Sequence, residues 1–311
     1  MSTLREGLQE YLTLRRRLGF QLRDAGRALP DFVAFMEQKR ARHITSHLAL
    51  RWAHQPTVGA PANWARRLSF VRGFARHRSA SDPRSQIPPA GLLPHRPARA
   101  RPYPYTDEEI RHLLHAALAL APRGSLRPWT YYCLLGLLSV SGLRFGEARN
   151  LELQDLDLKN SLLTIRGAKF GKSRLVPLHD STCKVLAAYL RRRKLLLAGH
   201  PLSSYLFVTL RGNQLNDGEA HQTFIALSKQ VGLRAPADLH GPRMHDFRHR
   251  FATQTLMRWY RSDEDPARRL PLLSTYLGHV HLSDTYWYLN HWPELMREAV
   301  KRLERRWEAR P

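Results

Sequence analysis

Arg144, Lys169, His245, Arg248, His279 and Tyr288 are side chains of the kinds that handle phosphate. They stand in four short strings: SGLRFGEARNL, IRGAKFGKSRLVPL, MHDFRHRFATQTL and YLGHVHLSDTYWYLN. A phosphodiester resists attack because its charge repels nucleophiles and its transition state gathers more charge. Guanidiniums forked around the non-bridging oxygens counter this, and Arg144 and Arg248 are the candidates. His245 and Arg248 are three apart on an expected helix and so share one face. Lys169 falls at the tip of an expected hairpin, where an ammonium could protonate a leaving 5′ oxygen. Lys172 and Arg174 are close by, and spacing alone does not choose among the three. Tyr288 offers an oxygen nucleophile, but a phenol of pKa about 10 is only ~0.1% ionised at neutral pH, so its neighbours must lower the barrier. The inventory is that for cutting a phosphodiester without a metal or other cofactor. His249, four residues after His245, raises a rival reading as a metal pair. The helical zinc-protease pattern places Glu after the first histidine, whereas this chain has Asp246, and no metal is expected.

The charge balance points to the same partner. Among 311 residues, 50 Lys+Arg stand against 26 Asp+Glu, a net charge of +24. A chain this basic meets a polyanion, most often nucleic acid. No long apolar run suggests a membrane span, and MSTLREGLQEYL lacks the apolar core of a signal peptide, so a cytoplasmic, nucleoid-associated protein is expected. Cys133 and Cys183 form neither a disulfide framework nor a metal spacing.

Three regions must position these residues. Residues 1–80 read as a helical DNA-binding domain of four helices, with Leu4, Leu8, Tyr11, Leu12 and Leu18, then Leu29, Phe32, Phe35 and Met36, near helical spacing. Thr45 and Ser46 are candidate N-caps of the third helix. The fourth opens at Pro61 with Trp64, Leu68, Val71 and Phe74 on one stripe; Arg66, Arg67, Arg72, Arg76 and Arg78 ride beside it as a phosphate-facing surface. Residues 81–104 are a basic, proline-rich linker, read as a strap along a duplex with Arg99 and Arg101 as contacts. Lys172 and Arg174 in the hairpin are the remaining DNA-contact candidates. Residues 105–311 form the second domain. Thr106 and Glu109 make a capping box, an apolar helix runs roughly over 128–141 to Gly142, and 161–178 changes to strand periodicity. YLFV at 205–208 is a candidate third strand. The expected fold is mainly α with a small antiparallel sheet.

The four strings in this order resemble the signature of the tyrosine recombinase (phage integrase) family: Arg, Lys, His-x-x-Arg, His, Tyr. SGLRFGEARNL is similar to its first arginine box, with Glu147 as the accompanying acid; RGAKFGKSRLVPL to its hairpin lysine box, which favours Lys169; HDFRHRFAT to its His-x-x-Arg box; and LGH with a tyrosine nine residues on to its closing box, which selects Tyr288 over Tyr286. The resemblance spans roughly 103–292; over 1–100 it is one of general helical character. It implies a helical core-binding domain and a catalytic domain clamping double-stranded DNA like a C. It also implies attack by Tyr288 to give a 3′-phosphotyrosine, with Arg144, Arg248 and His279 on the non-bridging oxygens, Lys169 as general acid, and His245 assisting. Family members act as tetramers on paired sites through a four-way junction, which makes accessory or sibling recombinases further candidate partners. The chain's ending resembles recombinases of transposon-like mobile elements. A type IB topoisomerase, or a DNA-binding relative that does not cleave, are the alternatives. The stretch between Arg248 and His279 is longer than the family's usual one. The tail places Leu295, Ala299, Leu303 and Trp307 at four-residue intervals, an apolar stripe expected either to pack on its own domain or to dock on a neighbouring protomer.

Overall fold

The computed structural model describes residues 3–55, 61–93, 101–166, 173–199, 203–235, 237–238, 241–262, 264–288 and 293–308. The chain divides into two compact units, Met1–Ala100 and Arg101–Pro311.

The first unit is helical: α1 (Leu4–Arg17), α2 (Arg23–Gln38), α3 (Ser46–Ala53) and α4 (Pro61–Ser79). A capping box of Thr3 and Glu6 opens α1, and Thr45 caps α3 by accepting from the Leu48 N–H. Leu8, Phe32, Met36, Trp52, Leu68, Val71 and Phe74 form one buried cluster. Leu18 is not part of it: it follows the last turn of α1 and is 64% exposed. Arg78 departs from the surface row as well. It is buried against Gly7, where a Cβ would lie 3.1 Å from its guanidinium.

Residues 80–93 hold to the helices of this unit. The Gln86 N–H donates to Ile44 O (2.7 Å), Ser85 Oγ accepts from the Ile44 N–H (3.2 Å), and Arg72 donates to the carbonyls of Pro88 and Pro89, both at 2.8 Å. A proline-rich chain presents acceptors without donors, which suits it to an arginine fork.

In the second unit the Thr106–Glu109 capping box opens α5 (Asp107–Leu118). The apolar α6 (Leu126–Ser141) packs against α5, α8 and α10 and is the centre of the core. It stops at Gly142, whose φ of +61° is left-handed and whose absent Cβ would lie 2.6 Å from the Phe251 ring. The short α7 (Phe145–Arg149) follows. The antiparallel sheet is β1 (Leu156–Asp157), β2 (Leu162–Ile165) and β3 (Arg174–Pro177), in that order, with Leu163 opposite Val176 and Ile165 opposite Arg174. The third strand is thus the two-residue β1, not residues 205–208. Leu206, Phe207 and Val208 are buried in succession and make only isolated bridges, Glu152 with Tyr205 and Val208 with Gln214. The remaining elements are α8 (Asp180–Leu196), α9 (Asp217–Gln230), α10 (Met244–Arg261), α11 (Pro266–Leu277), α12 (Ser283–Tyr286) and α13 (Pro293–Glu308).

The long stretch between Arg248 and His279 is chiefly helix. α10 runs on to Arg261, Asp265 caps α11 by accepting from the Ala267 N–H, and α11 ends at Gly278, φ +66°. The tail helix α13 lies on α10, where Leu295 is wholly buried and Arg302 donates to Trp259 O and Ser262 O. The four-residue stripe does not all face inward: Leu303 is exposed and Trp307 is 68% exposed.

Candidate active site

The end of α11 organises the site. Its last carbonyls have no intrahelical partner and carry the negative end of the helix dipole, so they attract cations. Three consecutive carbonyls each accept from a different arginine: Tyr276 O from Arg174 Nε (2.7 Å), Leu277 O from Arg248 (2.6 Å), and Gly278 O from Arg144 (3.2 Å). Arg144 enters from the start of α7, Arg174 from β3 and Arg248 from α10.

Glu147 joins two of them. Its carboxylate accepts from the Arg144 backbone N–H (3.0 Å), from the Arg144 guanidinium (2.8 Å), and from both terminal nitrogens of Arg174 (3.1 and 2.8 Å). Burial opposes ionisation here, but the hydrogen bonds and charges of Arg174 and then Arg144 outweigh it and hold Glu147 at about 2. Arg144 keeps a partly exposed side chain able to meet a ligand.

Arg248 is almost fully buried, and a second fork nitrogen donates to Gly142 O at 2.9 Å. Burial lowers its pKa to about 10, opposed by its charge interaction and hydrogen bond with Tyr288; it remains a cation at neutral pH. Tyr288 is itself buried, its ring 5.2 Å from His249, 5.8 Å from Trp287 and stacked 5.9 Å from His279. His249 also meets His245 edge-on at 4.7 Å. His279 shares a 2.7 Å hydrogen bond through Nδ1 with the fully buried Thr285 hydroxyl, which fixes the ring and leaves Nε2 for a ligand. Desolvation, then the charges of Arg248 and Arg144, lower His279 to about 4. His245 keeps an exposed edge but is hemmed in by protein on its other sides; desolvation and Arg248 lower it to about 4 as well. Both imidazoles are therefore held toward the neutral form.

The structure thus brings Arg144, Glu147, His245, Arg248, His249, His279 and Tyr288 together within the second unit. Lys169, Lys172 and Arg99 lie outside the described residues. Arg174, read from sequence as a DNA contact, spends its guanidinium on Glu147 and Tyr276 O. The helical-unit arginines differ among themselves. Arg76 is exposed, and Arg66 is largely exposed though within 3.4 Å of Asp24; Arg67 lies over the Trp52 ring at 3.7 Å, and Arg72 is held by the two proline carbonyls. Arg101 is exposed. Among the described residues no group of three or more His, Cys, Asp or Glu is placed to hold a metal ion. Thr285 and the α11 carbonyls escaped sequence reading. A threonine six residues after a histidine carries no signal, and backbone acceptors carry none at all.

Comparison with known proteins gives the family and the fold. Residues 105–294 match the model of the phage integrase family. A Sinorhizobium fredii (strain NGR234) protein named as an integrase/recombinase, y4rB, is 60% identical over 313 residues, covering 100% of both chains. The tyrosine recombinase XerA of Pyrococcus horikoshii is 28% identical over 66% of this chain and 63% of its own. Among solved structures, the Tn1549 transposon integrase in complex with transposon right end DNA superposes with a TM-score of 0.64 at 16% identity, over 98% of this chain and 99% of that one. XerH recombinase in its post-cleavage complex with palindromic difH gives 0.60 at 20% identity, over 84% and 70%. At these identities the two structures speak for the fold.

Proposed function

The chain belongs to the phage integrase family, and from that premise we propose that this tyrosine-type site-specific recombinase cleaves and rejoins double-stranded DNA through a 3′-phosphotyrosine on Tyr288. The observation that carries the reading is the seat of Tyr288: a buried phenol stacked on His279, flanked by His249 and joined to the Arg248 cation. The phenol oxygen attacks phosphorus, the Tyr–O–P bond forms and the P–O5′ bond breaks. Lys169 gives its proton to the departing 5′ oxygen, while His245 assists the transfer of the phenol proton. Arg144 and Arg248, with His279 donating from Nε2, oppose the charge that builds on the non-bridging oxygens. The covalent link conserves the bond energy, so another strand's 5′-hydroxyl reseals it without ATP and without a metal. Arg66, Arg76 and Arg101 are suited to the duplex backbone in this reading, with Arg99 and Lys172 as sequence-based candidates.

The test is a plasmid carrying two copies of the DNA that borders the protein's own gene. In EDTA and without ATP the protein should produce recombinants. Relaxed topoisomers with no recombinants would favour the topoisomerase alternative and overturn this one.

Strand exchange by this family's scheme takes four protomers on two sites, and the tail supports such an assembly. α13 holds to α10 by Leu295 and Arg302, yet leaves Met296, Val300, Leu303 and Trp307 exposed as a second apolar stripe at helical spacing. Leu303→Glu with Trp307→Glu should leave single-site binding unchanged and abolish the four-protomer complex on paired-site DNA, as measured by light scattering. A variant that still forms it removes the tail from the assembly.

A further inference from the structure

We propose that Arg174 is a positioning residue for the cleavage step: it latches the strand that follows the lysine hairpin to Glu147, and so fixes the carboxylate that orients Arg144. The inference rests on the recombinase reading above and adds to it a residue that touches neither DNA nor the reacting atoms.

The geometry points inward at every contact. Both terminal nitrogens of Arg174 grip the two oxygens of Glu147, and Nε is taken by Tyr276 O. The pair is enclosed, with side chains only 10% and 9% exposed, whereas Arg144 is 30% exposed. Arg144 also bonds Glu147 and Gly278 O, but it is the member that keeps exposed surface for a phosphate. Gly278 closes the fourth side: a Cβ there would lie 2.8 Å from an Arg174 terminal nitrogen and would push the guanidinium off its partners, and the φ of +66° favours glycine as well. One side chain, carried by the strand that leaves the lysine segment, thus bonds both the acid of the first arginine box and a carbonyl of the helix end that leads to His279. A fork can hold two such partners at fixed angles; an ammonium cannot.

The consequence is electrostatic as well as steric. Glu147 is faced by Arg144 from α7, Arg174 from β3 and Arg248 from α10, with His279 nearby as a titrating group. Removing Arg174 leaves the carboxyl buried with fewer cations, so its pKa rises. A protonated Glu147 no longer balances Arg144. Because the ionised form is the competent one, the variant should lose rate as pH falls, over a range where the wild-type carboxylate, at about 2, stays ionised.

Cleavage can be followed as covalent adduct formation on a nicked suicide duplex bearing the DNA that borders the gene, with wild type, Arg174→Met, Arg174→Lys, Glu147→Gln and the Arg174→Met/Glu147→Gln double variant. Arg174→Met should slow cleavage roughly 10- to 100-fold, the scale of a lost charged hydrogen bond, with a new acid limb in the pH profile. Arg174→Lys should recover part of the rate. The double variant should be no slower than the slower single one and should lack the new limb, since the titrating carboxyl is gone. It also removes both buried charges together, so it keeps the comparison usable should the lone Arg174→Met variant fold poorly. Additive losses with unchanged pH profiles would overturn the proposal. So would a salt slope of DNA binding reduced by about one, the mark of a phosphate contact. If wild type itself gives no adduct, it is the recombinase reading that fails.

Discussion

Tyr288→Phe should bind duplex DNA as the wild type does and form no covalent adduct with it. The ring fills the same space among His249, Trp287 and His279, so the cluster that joins the ends of α10, α11 and α13 keeps its packing. Only the attacking oxygen is lost, and the adduct on a nicked suicide duplex should fall to background. Tyr286 is the competitor two residues earlier. Tyr286 is the last residue of α12 and Tyr288 lies in the turn beyond it; Tyr286 is 48% exposed where Tyr288 is 5%. Tyr286→Phe should therefore cleave at the wild-type rate. An adduct that survives in Tyr288→Phe and disappears in Tyr286→Phe would reverse the assignment.

Lys169→Ala and Arg248→Ala should fail for different reasons, and a change of leaving group separates them. Loss of a general acid costs about 10²- to 10⁴-fold with an ordinary 5′ oxygen. A 5′-bridging sulfur leaves as a thiolate without needing a proton, so it should return most of the Lys169→Ala rate. If the sulfur does not rescue Lys169→Ala but rescues Lys172→Ala, the proton donor is Lys172. Arg248→Ala should lose about 10²- to 10³-fold with either leaving group, because its charge serves the non-bridging oxygens. The same substitution strands the carbonyls of Gly142 and Leu277, so Arg248→Lys is the companion that keeps a cation there; it too should show no sulfur rescue.

Much of this site was legible as residue types in order. Arg144, Glu147, His245, Arg248, His279 and Tyr288 sit in strings whose local spacing is meaningful, and the structure gathers them in one unit. The Thr106–Glu109 box and the glycine after α6 were equally readable, because capping and left-handed turns are written in three or four adjacent residues. Long-range partners were not. Arg174 looked like a DNA contact because it follows two hairpin lysines; the acid that claims it is 27 residues away in sequence. Arg78 and Leu18 were misplaced for a related reason, since periodicity gives a face but not what covers it. The tail shows the arithmetic. Each four-residue step advances 400° on a helix, so Trp307 is rotated about 120° from Leu295. The residues 296, 300, 303 and 307 keep a straighter line, and it is they that stay exposed together.

The most direct measurement is the site of the covalent bond. Wild-type protein trapped on the suicide duplex, digested with trypsin and nuclease, should yield a modified peptide spanning Leu270–Arg297, which contains Tyr276, Tyr286 and Tyr288. Fragmentation should place the nucleotide on Tyr288, attached through a 3′ phosphate, with a free 5′-hydroxyl on the released strand. Attachment to Tyr276 or Tyr286, a 5′-phosphate linkage, or cleavage with no peptide attached would contradict it.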